Sequence, residues 1–505
     1  MRKIFITLLS FLGILSLASC GEATQLPTGT EPTQPAEKTE NPKTPPKKKT
    51  IIQYCGWDLG TESSPTLKRK MIEEFNKTSD DIMIDMLPSQ DPLEKFYTDL
   101  KILESMPDVF MVSSVPNAIV KEWAMDVTSL TTQDPEWKNV EGNLKSSVTY
   151  YEDGTGVYAI PAAQHYIGFL ANYDLIGDYA YIDGYAEDVF APGAFTTEQF
   201  FDVIPDIKSV KTNGTSVVGI NAVGDMINWL PSVLDSNYEH FVWNATDPKN
   251  PKFDFTSQVM VDALTKIQTL GKIASRNTFN SYADPNAEED PRVGLFGTSD
   301  PSAAFLQGQI GFYQGMTSDD VSNIKFNYKF VGYPDKRVVS TGDFLCISKD
   351  CKNPEAAYEV AKFLSFGADG INARYKIVEE NKNIDLTGLP VNVDPSVTSK
   401  WFDYVEMKGV KEIYDQVVAG EYKVIVEGLK TIPGFESARF TADTGIKIDG
   451  VRGGNTLTIG DLIWDVCEGS ITIGQYTTNM TNVKSDDLNK SILETLNKIK
   501  SMQKK

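Results

Sequence analysis

The chain has 505 residues, a formal net charge of −21 at pH 7, and is 41% hydrophobic and 23% charged. This surplus of carboxylates argues against a nucleic-acid partner, whose phosphates it would repel. Five cysteines without a paired Cys-x-x-Cys spacing, and only two histidines, argue against a Cys/His zinc site.

At the N-terminus, Arg2 and Lys3 precede the apolar run IFITLLSFLGILSLA, which Ser19 and Cys20 follow. A charged head, a short apolar middle and small residues make a secretory signal over residues 1–19 rather than a membrane span. LASC, Leu17 to Cys20, is similar to a bacterial lipobox, which implies acylation of Cys20 as the first mature residue and an anchor in the membrane. From Gly21 to Lys49 the chain turns to Thr, Pro, Glu, Gln and Lys. Such a segment buries too little apolar surface to fold, so residues 20–50 are a lipidated tether. Beyond it, about 455 residues suffice for two domains.

TIIQYCGW, Thr50 to Trp57, is apolar and β-branched enough for a buried strand. SPTLKRKMIEEFNKTS then places Leu67, Met71, Ile72 and Phe75 at helical spacing, with Pro65 near the start. A strand in IMIDMLP, a helix in LEKFYTDLKILES and a strand in PDVFMVSS follow. This alternation builds a parallel sheet with helices on its faces, and ligands of such sheets sit beyond the carboxyl ends of the strands. Trp57 and Asp58, Gln90 and Asp91, and Ser113 and Ser114 occupy those ends.

GVYAIPAAQHYIGFLANYDLI, Gly156 to Ile176, departs from an ordinary strand: Pro161 removes a backbone donor, and Gln164, His165 and Tyr166 stand together in an apolar run. The segment is either an edge strand with a Pro bulge and a solvated face, or a crossing whose middle lies open to a ligand. Downstream, FTTEQFFDVIPDIKSVK reads as a helix capped by Thr196 or Thr197, VVGINA as a strand, and SQVMVDALTKIQTLGKIA as an amphipathic helix. The acidic loop 281–294 reads as solvated, with a calcium site as the alternative. Cys55, Cys346, Cys351 and Cys467 read as free thiols, with a Cys346–Cys351 bridge as the alternative.

The order of segments resembles the family 1 extracellular solute-binding proteins of ABC importers, the group of maltose- and oligosaccharide-binding proteins. The residues carrying the resemblance are the helix end Phe75-Asn76-Lys77, PDVFMVSS, YAIPAAQHYIGFLANYDLI, FTTEQFFDVI, AAFLQGQIGFYQGM, the segment KFVGYPDKRVVSTGDFLCISKDCKNPEAAYEVAKFLSF, and GLPVN at Gly388 to Asn392. Ala171, Asn172, Tyr173 and Asp174 stand where the family pattern reads Tyr-Asn-Lys-Asp.

The resemblance implies an α/β, two-lobed periplasmic-binding-protein-like (type II) fold, each lobe a mainly parallel sheet flanked by helices, joined by crossing hinge segments. It implies an N-terminal lobe of 51–160 and 341–385 and a C-terminal lobe of 161–340 and 386–505. YAIPAAQHYIG would be the first crossing, so that Gln164, His165 and Tyr166 face the cleft. VVSTGDFLCIS, Val338 to Ser348, would return with Asp343 and Phe344 opposite.

The implied function is an extracytoplasmic lipoprotein, monomeric and lipid-anchored on the outer face of the bacterial cytoplasmic membrane, that captures a carbohydrate and delivers it to ABC permease transmembrane subunits. No cofactor and no metal are called for. A sugar site needs planar carboxylate, amide or imidazole partners for hydroxyls and aromatic platforms for C–H faces. Asp58, Gln90, Gln164, His165, Gln314 and Asp343 are candidates for the first, with Ser113 and Ser114 at a strand end. Trp57, Tyr166, Trp229, Tyr313 and Phe344 are candidates for the second; the other tryptophans are assigned to packing.

Two other classes stand beside this one. A secreted carbohydrate-active enzyme would need two carboxylates across a cleft, and the chain carries no Gly-x-Ser-x-Gly, His-Glu-x-x-His or P-loop. A sugar-binding protein that feeds a sensor kinase would share the site and differ only in its partner.

Overall fold

The computed structural model describes residues 48–88, 106–210, 216–284, 287–386, 388–480 and 485–503. The signal, Cys20, the tether up to residue 47, Gln90 and the helix expected in LEKFYTDLKILES lie outside them; Thr50, expected to end the tether, already opens the first strand. Among the described residues no helix is long and apolar enough to cross a membrane.

The strands are β1 (Thr50–Gly56), β2 (Ile82–Pro88), β3 (Val109–Met111), β4 (Ile160–Asn172), β5 (Lys208–Val210), β6 (Ser216–Ile220), β7 (Trp243–Asn244), β8 (Lys252–Phe253), β9 (Ile310–Met316), β10 (Tyr328–Gly332), β11 (Arg337–Ile347) and β12 (Lys423–Val426). Ten of them form one sheet in the order β2-β1-β3-β11-β4-β9-β6-β5, with β10 added on β4 and β12 on β11. At one end β1 pairs in parallel with β2 and β3. At the other, β6 pairs in parallel with β9.

The two halves meet in the long strands β4 and β11, which run antiparallel with Thr341 opposite His165 and Gly342 opposite Gln164. β4 starts against β11 and ends against β9 and β10. β11 starts against β12 and ends against β3. The register between them slips so that Asp343 faces Ala163 and Phe344 faces Pro161, leaving Ala162 as the extra residue of a bulge. A proline cannot donate to a ladder and is tolerated inside a sheet at such a bulge. Farther along β4, a Cβ on Gly168 would come 2.7 Å from the Cα of Gly332, so glycine there lets β4 and β10 approach closely.

The flanking helices follow from their apolar faces and caps. Thr66 accepts from the Arg69 backbone N–H at the start of Leu67–Thr78, whose buried face includes Leu67, Met71, Ile72 and Phe75. Asn76 then locks this helix to β2, donating to the Ile84 carbonyl at 2.9 Å and accepting from its N–H at 2.7 Å. Thr196 and Gln199 form a reciprocal capping box on Thr197–Val203, and Ser257 caps Gln258–Gly271.

Three cores result. The first collects β1, β3, the end of β11 and the helices Pro354–Phe363 and Ala368–Glu380, with Leu386, Val391 and Trp401. The second is aromatic, built around Phe169, Phe190, Phe195, Phe200, Trp229, Phe312 and Tyr333; Phe169 stacks on Phe200 at 4.7 Å. Such pairs add about 0.5–1.5 kcal/mol beyond area burial. The third holds Tyr166, Leu170, Phe305, Phe330, Val410 and Ile413.

The helix Ser485–Met502 touches two of these cores. Ile492 packs in the second and Ile499 in the first. Cys55, Cys346, Cys351 and Cys467 are free thiols.

Candidate functional site

β1 ends where the chain must fold back on itself. A Cβ on Gly56 would lie 2.7 Å from both the Tyr54 hydroxyl and an Asp58 carboxylate oxygen, so glycine makes room for Tyr54 to donate to Asp58 Oδ1 at 2.8 Å. Asp58 Oδ2 meets Lys68 Nζ at 3.6 Å. Lys68 also donates to the Leu364 carbonyl at 2.7 Å, and Arg374 donates to the Leu364 and Ser365 carbonyls at 2.8 and 2.9 Å. Both cations thus lie at the C-terminal end of the helix Pro354–Phe363, where its dipole favours positive charge.

Asp58, Lys68, Arg374, Ala163, His165, Asp343, Asp385 and Trp401 line one cavity of about 350 Å³, together with Leu389 and Val391. Trp401 donates from Nε1 to the Gly388 carbonyl at 2.9 Å and lies 5.8 Å from the Arg374 guanidinium. Asp343 accepts from Lys430 Nζ at 2.6 Å, and that ammonium also sits 5.5 Å over the Trp57 ring.

The electrostatics are governed by burial. Desolvation raises the Asp58 carboxyl above its ordinary value, with Asp343 adding to the rise and Lys68 and the Tyr54 hydrogen bond opposing it. Desolvation also lowers the Lys68 ammonium, against the pull of Asp58. In both partners the loss of water outweighs the attraction between them. Burial lowers Arg374 to about 10 and draws His165 below its ordinary value. His165 enters as a neutral imidazole, and its Nδ1 is buried with no protein partner.

The structure distributes the residues expected from sequence as follows. Asp58, His165 and Asp343 meet at the cavity, with Trp57 beside them, 39% exposed. Gln164 and Tyr166 are fully buried and do not line it. Gln164 donates to Ser340 Oγ at 3.0 Å, and Tyr166 sits in the third core. Side chains alternate along a strand, so His165 shares a face with neither of its neighbours.

Trp229 is buried against Tyr333 at 4.6 Å in the second core, and Phe344 is buried in the first. Tyr313 stacks on Phe305 at 5.0 Å. The adjacent Gln314 donates its backbone N–H to Asn221 Oδ1 at 3.0 Å. Ser114 caps the helix Val115–Val120, with Ser113 exposed before it. Gln90 and Cys20 are outside the described residues.

Sequence reasoning did not single out Lys68, Arg374 and Lys430. The first two look like the polar face of amphipathic helices, and nothing in the spacing marks Lys430.

A wider and more open groove of about 540 Å³ lies along Asn172, Asp178, Leu306 and Phe326. It shares none of the paired charges of the crossing. Among the described residues no group of three or more His, Cys, Asp or Glu side chains is placed to hold a metal ion. In the acidic loop, Asp290 pairs with Arg292 at 2.6 Å.

The sequence profile of a family described as bacterial extracellular solute-binding protein matches residues 70–379. No curated protein matches the chain. Solved structures that the fold resembles include an ABC substrate-binding protein of Listeria monocytogenes in complex with cycloalternan, 16% identical with a TM-score of 0.57 over 88% of this chain and 99% of that one. The cyclic alpha-maltosyl-1,6-maltose binding protein of Arthrobacter globiformis is 15% identical, with a TM-score of 0.57 over 88% and 99%. A sugar transporter of Rhizobium etli in an open conformation is 15% identical, with a TM-score of 0.58 over 86% and 98%. At these identities the likeness is one of fold: two lobes joined by crossing strands.

Proposed function

As the chain belongs to the bacterial extracellular solute-binding proteins, we propose that it captures a neutral carbohydrate at the β4–β11 crossing and delivers it, chemically unchanged, to an ABC permease. The observation that carries this reading is the pairing of charges around the cavity: Asp58 with Lys68 and Asp343 with Lys430. Each carboxylate is held by a cation and still has acceptor capacity for a hydroxyl, while the pairs present little net charge. A neutral His165, Trp57 and Trp401 supply the imidazole and aromatic surface that a sugar needs. Relatives of similar fold whose descriptions name cycloalternan or maltosyl-maltose support the substrate class.

In this proposal the lobes are those expected from the resemblance, 51–160 with 341–385 and 161–340 with 386–505, except that Leu386, Val391 and Trp401, which pack in the first core, go with the former. Closure about β4 and β11 buries the ligand and desolvates its hydrogen bonds. Trp57, Asp58, His165 and Asp343 are the contacts with ligand, and the protein acts as a monomer held to the membrane through Cys20.

Thermal-shift screening of the purified protein against neutral sugars, amino acids, polyamines and phosphates, with analysis of the recovered ligand, tests the reading. The expected result is stabilisation by a neutral sugar recovered intact. Turnover of the sugar would replace the binding protein by an enzyme, and stabilisation by amino acids or phosphate alone would overturn the substrate class.

A further inference from the structure

The segment Glu427–Phe435 enters the site from β12 and is held on both sides. The Glu427 N–H donates to the Ser340 carbonyl at 2.8 Å and the Gly428 N–H to His240 Nδ1 at 3.1 Å. On the other side, the Lys430 carbonyl accepts from the Val115 N–H at 2.8 Å, at the start of the helix Val115–Val120. Between these fixings the Lys430 side chain reaches into the crossing. Its ammonium is 2.6 Å from Asp343 Oδ1, 2.9 Å from the Gly342 carbonyl and 5.5 Å from the Trp57 ring centroid.

A carboxylate, a carbonyl oxygen and an aromatic face are the donor-poor, electron-rich set that recognises an ammonium group. Here the protein fills that set with its own side chain. We propose that Lys430 is a specificity-determining residue: by seating its ammonium between Asp343 and Trp57 it bars cationic ligands from the site and keeps the site for neutral ones. The need follows from charge. A chain of net charge −21 draws cations toward its surface, and an unpaired Asp343 beside an exposed tryptophan would collect amines from solution. Exclusion by an occupied seat is a form of selection against the wrong partner. The inference rests on the crossing being the ligand site proposed above.

Calorimetric titration with putrescine and with glucosamine compares the wild type, Lys430→Met and Lys430→Arg, with melting curves to show that each is folded. The methionine keeps the unbranched shape and the backbone bond to Val115 but stops one atom short, so the place of the ammonium is vacated. Lys430→Met should bind the amines at least about tenfold more tightly than the wild type, the scale of one cation–π contact joined to an ion pair. Lys430→Arg should reject them as the wild type does. If Lys430→Met does not fold, Lys430→Gln, which can still hydrogen-bond Asp343, carries the same expectation.

Equal amine affinity in the wild type and the charge-removing variants would overturn the proposal, as would tight amine binding by the wild type itself. A wild type that answers to no neutral sugar, together with amine binding gained in Lys430→Met, would instead sink the carbohydrate reading and leave the role of Lys430 standing.

Discussion

The Gly428 N–H donates to Nδ1 of His240 across 3.1 Å, and the imidazole lies flat against Phe435 with 4.7 Å between ring centroids. An imidazole nitrogen that accepts is unprotonated, so the geometry assigns the ring proton to Nε2. Adding a second proton would set a donor against the Gly428 donor inside a buried site.

This arrangement makes stability depend on acid. Burial, with Arg439 as a secondary cause, lowers His240 from its ordinary value of 6.5 to about 3. Unfolded chains bind the proton below about 6.5 while the folded protein refuses it until about 3. The His240 contribution is therefore complete above 6.5 and is lost as the pH falls through that window, by on the order of 5 kcal/mol in total. Urea unfolding of the wild type and His240→Asn at pH 7 and pH 4.5 should show a smaller acid loss in the variant. Equal losses in the two proteins would remove His240 as the cause.

His165 and Tyr166 are adjacent in sequence and should respond in different currencies. Tyr166→Ala empties a fully buried site in the third core and should cost about 3–5 kcal/mol of stability. His165→Ala should leave melting nearly unchanged and weaken sugar binding by about 1–3 kcal/mol, roughly fivefold to a hundredfold. Paired denaturation and titration measurements check both; wild-type affinity in a folded His165→Ala would take this residue out of the site.

Lys68 and Asp58 offer a second test of pH dependence, of opposite sign. Burial raises Asp58 in the folded state, so the folded protein binds that proton more readily than the unfolded chain does. Stability from this group is present at low pH and falls as the pH rises through the folded value. Lys68→Met removes the cation that opposes the rise and should cost about 3–5 kcal/mol at pH 7, a loss that shrinks as the pH is lowered and Asp58 takes up its proton. A loss independent of pH would mean that Lys68 acts on packing alone.

The anchor is tested apart from the fold. Cys20→Ala should move the protein from the membrane to the soluble fraction with ligand binding intact. Membrane retention of the variant would count against acylation of Cys20.

Much of the fold was legible because its signals are local. The helix Leu67–Thr78 carries apolar residues at helical spacing behind a threonine cap, and Pro161 marks a bulge before β4 crosses the sheet. Of the strand ends read from the sequence, Asp58 lines the cavity and Trp57 lies under Lys430, whereas Ser114 caps a helix. The site was not legible where only tertiary contact decides. Gln164 and Tyr166 have the chemistry of ligand contacts, but the pleat sends them away from His165 into buried positions. Trp229 has the surface of a platform and serves instead as a wall of the aromatic core. Lys68, Arg374 and Lys430 reach the site from three separate stretches of chain, and no sequence period connects them.

The crossing strands also set what movement the molecule allows. Two strands tied by a hydrogen-bonded ladder form a ribbon, which flexes out of its own plane with little cost and resists shear within it. β4 and β11 are such a ribbon between the first and second cores, with the bulge at Ala162 breaking its ladder and the Leu389 N–H bonded to its middle at the Gln164 carbonyl, 2.7 Å away. The helix Ser485–Met502 is a second tie, with Ile492 in the second core and Ile499 in the first, so the two cores are joined at two separate places. Lys430 stands on a segment bonded to both sides, to Val115 of the first core and, through Gly428, to His240 beside the second, so the seat of its ammonium over Trp57 is set from both cores at once.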